Sequence, residues 1–442
     1  MARAFRVLSV CLLAGLCSTA QTAVAQSVEP LKPTVVDDAA APPLPRLTIL
    51  LEDDVGLPPV KRRVRPNPFA PLGLRQGGIT YFPSLGVDGV VSSNGAQASS
   101  HPKAAVGLQL RPAIRFESDW VRHSWEGQAS GDFIRYLGSN AIDTMQADAG
   151  TRFRLDIHHD MRADFDARYR LSQDGASSSE VPNTAIGDRT DHTFTAGAAI
   201  TREFGAFDGR LKLGVERRIF EDVKLTGGGS EDNRDRNLTS PSLGVRLAYV
   251  DPPALKPFID ITYEPRFHDQ KLDRNGLARD SQGVTASLGV TLDRGPIWSG
   301  EAAIVYAFRD YKDDALKTNG ALGINGNLTW RPTELTSIVM TLGTSLDETA
   351  SATSSGSRTY SGRLDLTHTL RENVNLLAGM GVSTTRTEFG AEDTITSKLG
   401  VEWQINPELA WTASYDGTWF KAPQSADSYN EQRISTGFVI RW

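Results

Sequence analysis

Three clusters in this chain carry residue types that could do chemistry. The first is His158-His159-Asp160, two imidazoles and a carboxylate, the donor types of a transition-metal site. Its flanks demand a tight turn there, so a solvated turn is expected rather than a ligand set. The second, "GGGSEDNRDRN" (227–237), combines glycines with carboxylates. It lacks the spaced ligands of a calcium loop and reads as a mobile extracellular loop. No Ser-His-Asp or Asp-His arrangement stands out, so the expectation is no catalytic, metal or cofactor-binding residues, no cofactor and no enzyme. The third cluster is larger: Arg152, Arg154, Arg162, Asp164, Asp166, Arg168 and Arg170 all share one parity. Charges arrayed in this way set the local potential of a pore, and these seven are the candidate pore-lining residues. A salt-bridged interior that braces a wall is the competing reading, and both stay open.

The elements that must position these charges follow from the same stretch. In "DMRADFDARYRLS" (160–172) the odd positions read Met, Ala, Phe, Ala, Tyr, Leu, while the even ones are polar throughout. A helix would put Asp164 and Arg168 on the face of Met161 and Phe165, so the helical period fails. Period 2 fits every residue and predicts a strand with one apolar and one polar face. Similar alternation recurs from about 79 to 442, including 145–157, 207–219, 255–267, 284–292, 298–308, 322–330, 336–346, 360–370, 374–384, 395–405, 409–419 and 434–442. With the less regular runs near 79–90, 105–116, 124–137, 192–204 and 243–249, this predicts about eighteen strands.

The connections alternate as well. Short turns such as "FGAFD" (204–208), "DRGP" (293–296), "REN" (371–373) and "NPE" (406–408) fall between longer polar loops such as 173–190, 221–239, 268–281 and 347–358. Short turns at one end of a meander and long loops at the other are what an outer-membrane barrel requires. A soluble sandwich also alternates, but most runs here reach ten or more residues, against a globular norm of roughly 5–6. The charged face cannot fill a dry core, whereas it can line a wet lumen. Tryptophans supply a third argument. Trp298, Trp330, Trp403 and Trp411 lie on the apolar parity beside short turns, and Trp419 at the opposite strand end. That is an interfacial girdle at the headgroup level.

The ends complete the organisation. "MARAFRVLSVCLLAGLCSTAQTAVAQ" has Arg3 and Arg6, an apolar run to Leu16 and the small residues Ala23-Val24-Ala25. It predicts a signal peptide, residues 1–25, cleaved before Gln26. Both cysteines, Cys11 and Cys17, lie within it, so no disulfide framework is expected. Its removal takes the formal charge from −6 to −8, which argues against a nucleic-acid partner. Residues 26–78 are proline-rich and read as an extended or disordered periplasmic extension, with the barrel at 79–442. At the other end "RISTGFVIRW" places Ile434, Thr436, Phe438, Ile440 and Trp442 toward lipid and Arg433, Ser435 and Arg441 toward the lumen. The aromatic last residue after alternating apolar ones makes Phe438, Ile440 and Trp442 the expected assembly signal.

The stretch from "NPFAPLGLRQGGITYFPSLGVDGVVSSN" (67–94) to Trp442 resembles the putative beta-barrel porin family of Gram-negative outer membranes, in its Arg75-x-Gly77, Pro83 and Asn94. The resemblance implies an outer-membrane barrel without naming a substrate. The expected fold is all-β, a transmembrane antiparallel up-and-down barrel of about 16–18 strands. The expected function is a porin-like passive channel for small hydrophilic solutes. A structural or polysaccharide-export-associated barrel with an occluded lumen is the alternative, and a barrel-embedded hydrolase the third reading. Expected partners are outer-membrane lipid and lipopolysaccharide, the outer-membrane assembly machinery and periplasmic chaperones.

Overall fold

The structure is a computed structural model. It describes residues 67–442 apart from 139–140, 175–184, 186–187, 252, 348–354, 388–389 and 424–427. The expected signal peptide and the extension as far as residue 66 lie outside the described residues.

Alternation along the chain becomes eighteen long strands: β1 (Ile79–Ser92), β2 (Ala105–Ser118), β3 (Ser124–Leu137), β4 (Thr144–His158), β5 (Met161–Asp174), β6 (Arg189–Phe204), β7 (Phe207–Phe220), β8 (Leu238–Tyr249), β9 (Leu255–His268), β10 (Ser281–Arg294), β11 (Trp298–Tyr311), β12 (Asn319–Thr333), β13 (Thr336–Asp347), β14 (Ser357–Arg371), β15 (Val374–Thr387), β16 (Gly390–Asn406), β17 (Leu409–Lys421) and β18 (Tyr429–Arg441). Each pairs antiparallel with its sequence neighbour. β18 returns to β1 over the register Ser84↔Arg441 to Ser92↔Arg433, which closes the barrel. Closure matters because hydrocarbon offers no partner for the bare edge of an open sheet. The fold is the expected one at the upper end of the expected strand number. Strands of 12 to 17 residues are long enough to cross hydrocarbon at a tilt.

Parity decides the two faces. On β5 Phe165 points outward and is 45% exposed, whereas its neighbour Asp164 points inward and is 6% exposed. Gly205 and Gly295, at φ +65° and +64°, sit in the tight turns of one end, where only a glycine takes the left-handed conformation without strain. The tryptophans gather at that same end. Trp298 and Trp330 are register partners stacked at 5.3 Å, and Trp403 lies opposite Trp411, itself opposite Phe438. Trp419 lies at the far end of β17 beside Ile395 and Asn430.

Residues 67–78, at the end of the stretch read as an extension, are built into the fold. Leu74–Gln76 pairs with Ile79–Tyr81, and Arg75 forms an ion pair with Asp119. The Asn67 amide also donates to the Glu372 carbonyl at 3.3 Å. At the other end of the barrel, residues 221–237 carry a small hairpin, Val223–Lys224 with Ser230–Glu231, and one turn of 3-10 helix at Arg234–Arg236. The order of this loop has a specific source. Arg274, from the loop after β9, donates to Asp235 at 2.7 and 2.8 Å, to Asn233 at 2.9 Å and to the Asp232 carbonyl at 2.8 Å, and pairs with Glu231.

Candidate functional site

Inward parity gathers most of the charged strand residues on the barrel's inner face, and this face is the candidate site. The seven predicted pore-lining residues lie on β4 and β5, side by side. Arg152 is the register partner of Asp166, and Arg154 Nε meets Asp164 Oδ1 at 3.2 Å. Arg162 approaches the other Asp164 oxygen at 3.6 Å, and Arg210 of β7 reaches it at 3.7 Å. Arg168 and Arg170 share Asp148 of β4, at 2.6 and 3.4 Å. The arginines are thus matched by three carboxylates, one of which, Asp148, was not among the seven. The ion pairs tie β4, β5 and β7 together on the inner face.

Between β12 and β13 the wall departs from a simple cylinder. Their ladder climbs from Thr333↔Thr336 to Gly326↔Leu342 and stops, whereas β13 and β14 stay paired to Asp347↔Ser357. Above the break β13 slides behind β12. Thr344 shares the parity of the outward Met340, yet its hydroxyl takes the Ile324 N–H at 3.1 Å and donates to the Ile324 carbonyl at 3.2 Å. One side chain so replaces a rung of backbone. Leu346, two residues on, is only 8% exposed and packs on Ala307 and Ala321 of the inner face. Arg358 at the start of β14 donates to Asn319 of β12 at 2.9 Å. The outer face of this hairpin therefore lies on the inner face of β11 and β12. Gly323 makes the overlap possible, since a Cβ there would stand 2.6 Å from that of Thr344.

The rolled-in edge reaches across the lumen. Arg266 of β9 donates to the Leu346 carbonyl at 3.1 Å, and Arg218 of β7 lies 4.0 Å from the Asp347 carboxylate. In a round barrel of this size, strands six apart would stand ~30 Å from each other, about twice what these two side chains can span. The lumen is pinched at this level. Arg218 also holds Glu216 at 2.7 Å, and the charges of Arg266 and Arg170 act on Glu216 as well. Glu264 holds Arg266 at 3.4 Å and Arg309 at 2.9 Å, and Asp148 holds Arg170 and Arg168, so five guanidiniums and four carboxylates gather at the narrowing. The alternation of 207–219 puts Glu216 and Arg218 on the polar face of β7 but carries no signal for their convergence with Arg266 and Asp347, which depends on how far the wall rolls.

Nearer the short turns, the Glu402 carboxylate accepts from Asn375 at 2.9 Å and lies 3.6 Å from Arg441. Arg441 also donates to the Asn406 carbonyl at 2.9 Å, while the Trp442 N–H reaches the Pro83 carbonyl at 3.1 Å. Phe438, Ile440 and Trp442 all point outward. His159 of the "HHD" turn is 97% exposed, and among the described residues no group of three or more His, Cys, Asp or Glu is placed to hold a metal.

Outside the strands, the Arg274 staple has a definite acid response. Burial pushes the Asp235 carboxyl up, but the hydrogen bonds and charge of Arg274 outweigh it and hold the group below its usual range. The Arg217 guanidinium, bonded to Asp269 at 2.6 Å through both nitrogens, likewise depresses Asp269. A depressed carboxylate contributes stability above its unfolded value, about 3.9, and loses it as pH falls through the folded one. Amide exchange at 273–277, corrected for its intrinsic pH dependence, is therefore expected to be flat from neutral pH to about 4 and to rise below. Arg274→Ala should raise it at every pH, and an equal rise near pH 6 in both chains would contradict the assignment.

The Putative beta-barrel porin 2 family model matches residues 67–442. No curated protein matches the chain. Among solved structures it is similar to the copper transporter OprC, at 10% identity and TM-score 0.43, covering 84% of this chain and 82% of that one. It is also similar to the FrpB iron transporter of Neisseria meningitidis, F5-1 variant, at 9% identity, TM-score 0.39, and 84% and 83% coverage. A third is the outer membrane protein opdK of Pseudomonas aeruginosa, at 11% identity, TM-score 0.37, and 82% and 99% coverage.

Proposed function

We propose, for a chain that belongs to the Putative beta-barrel porin 2 family and is an outer-membrane β-barrel, a passive channel for small hydrophilic solutes. The observation that carries this reading is the charged inner face of a closed eighteen-strand wall, narrowed where Arg170, Arg218 and Arg266 surround Glu216 and Asp347. Eighteen strands enclose enough space for an aqueous path even after one hairpin is folded inside. Counted with their ion-pair partners, five arginines (168, 170, 218, 266 and 309) face four carboxylates (148, 216, 264 and 347) at the narrowing, so the path favours small anions by its local potential. The proposal assigns no catalytic step and no cofactor. It takes the outward aromatic end of β18 as the signal for the assembly machinery and periplasmic chaperones, and the outer wall as the surface for lipid and lipopolysaccharide. Export is by the N-terminal signal peptide, cleaved before Gln26.

Planar-bilayer recording tests it. Steady ohmic steps are expected, with a reversal potential in a salt gradient that reports a preference for chloride over potassium. Arg218→Ala with Arg266→Ala should abolish or reverse that preference and raise conductance. Persistent silence of the wild-type chain would sink the channel reading. Such silence would favour the second reading, a structural or polysaccharide-export-associated barrel with an occluded lumen, for which the inward-rolled β13–β14 edge speaks.

A further inference from the structure

We propose that the rolled-in edge, residues 343–347 of β13 with 357–361 of β14, is a movable gate whose second position is the vacated edge of β12. The inference rests on the channel reading and adds its regulation.

The vacated edge supplies the first argument. Above Gly326↔Leu342 no ladder joins residues 319–325 of β12 to β13, and Thr344 stands in for a single rung at Ile324. An unpaired strand edge in a membrane wall is a docking site for a strand, because its backbone groups have no water to bond. The strand that fits is the chain's own. Extending the existing register one pair at a time puts Thr344 opposite Ile324 and Leu346 opposite Leu322. All four are on outward parity, and Leu322 is 66% exposed. In that position Leu346 would leave Ala307 and Ala321 on the inside for Leu322 and Ile324 on the outside, an apolar exchange in either direction.

The second argument is what holds the edge in. The tucked position gives up several rungs and gains the Arg266 bond to the Leu346 carbonyl, the Arg218–Asp347 pair and the Arg358–Asn319 bond. One position has the backbone rungs of β12 and the other the three cross-barrel bonds, and no intermediate has both, which is the condition for a two-state element rather than a continuous flexing. Moving outward re-zips the wall and takes the hairpin off the inner face, so the re-zipped state is the wider channel. Gly323 and Thr344 set the balance, since any side chain at 323 takes the place in which Thr344 sits.

Two cysteine pairs separate the positions, in a barrel whose chain has its only cysteines at 11 and 17. Ala321→Cys with Leu346→Cys bridges the tucked state, and Leu322→Cys with Leu346→Cys the re-zipped one. Full-length barrels in planar bilayers are expected to conduct severalfold more when the second pair is oxidised than when the first is, and dithiothreitol should return both to the wild-type level. Gly323→Val, with no crosslink, should move the wild-type conductance toward the higher value. The gate is overturned if the Leu322–Leu346 pair fails to oxidise while the Ala321–Leu346 pair does. It is equally overturned if both oxidise and conduct alike, or if the Ala321–Leu346 pair does not form at all. Should every barrel be silent, wild type included, the channel reading falls instead. The two crosslinking yields, read on a gel, then still decide whether the edge moves.

Discussion

Replacing Gly437 with valine is expected to keep the barrel from closing, and to lower the yield of heat-modifiable, membrane-inserted protein by at least about tenfold, since overpacking costs roughly 1–3 kcal/mol and here it is forced against backbone. Gly437 sits in β18 between Asp88 of β1 and Thr412 of β17. A Cβ at 437 would stand 2.6 Å from the Asp88 Cα, an atom that cannot move without breaking the closing ladder. The space above the glycine is also in use. The Thr412 hydroxyl donates to the Asp88 carboxylate at 3.1 Å, directly across β18, and Arg111 of β2 donates to both at 2.7 and 3.0 Å. Four strands are so fastened across the closing seam by side chains that meet over a residue without one. Valine would part Asp88 from Thr412 and cost the buried carboxylate a hydrogen bond, in addition to the clash. Phe438, Ile440 and Trp442 are untouched by the change, so a failure would lie in closure and not in recognition of the C-terminal strand. Gly437→Ala should show a smaller loss of the same kind. Wild-type band shift and wild-type outer-membrane levels for Gly437→Val would refute the argument.

Much of this wall was legible in the sequence, because the face a strand residue takes is a local property. Ile434, Phe438, Ile440 and Trp442 point outward, and Ser435 and Arg441 inward, as their parity requires. The outward placement of the tryptophans beside the short turns follows from the same rule. What parity cannot give is a partner on another strand. Arg154 and Arg170 were readable as inward charges, but that Arg154 would share Asp164 with Arg210 of β7 depends on register and tilt. The rolled-in edge was not legible at all. Thr344 and Leu346 continue the outward alternation of Ile338, Met340 and Leu342, and a strand on the outside would read identically. Its position results from a competition between backbone rungs to β12 and side-chain bonds to strands four and six places away. Gly323, one of 40 glycines, carries no mark that would single it out.

Arg246→Met is expected to destabilise the barrel by about 3–5 kcal/mol, the cost of breaking a buried ion pair by removing one member. Arg246 of β8 is 2% exposed and lies on the inner wall. It donates to Glu301 of β11 at 3.1 Å and to Thr291 of β10 at 3.1 Å, and its guanidinium rests 3.4 Å above the Phe258 ring of β9. Ala248, Phe258, Ala303 and Val305 pack into one buried cluster beside it. This section of wall is therefore built like a protein core, an apolar cluster with enclosed ion pairs (Arg246–Glu301, and Lys212–Asp260 beside it), though it faces the lumen. Methionine keeps most of the volume and the contact with Phe258 while removing the charge, so the loss reports what the guanidinium contributes to the buried Glu301 carboxylate. Adding Glu301→Gln should recover most of the stability, because a neutral pair of similar shape has no charge to desolvate. Urea unfolding of barrels folded into lipid vesicles measures both. A single variant within about 1 kcal/mol of wild type would mean that water reaches Glu301, and would place β8–β11 on the aqueous path. A large loss, rescued by the second substitution, makes the β8–β11 wall at the level of Arg246 a dry buttress. Conduction at that level is then confined to the other side of the lumen, where the β4–β5 arginines lie.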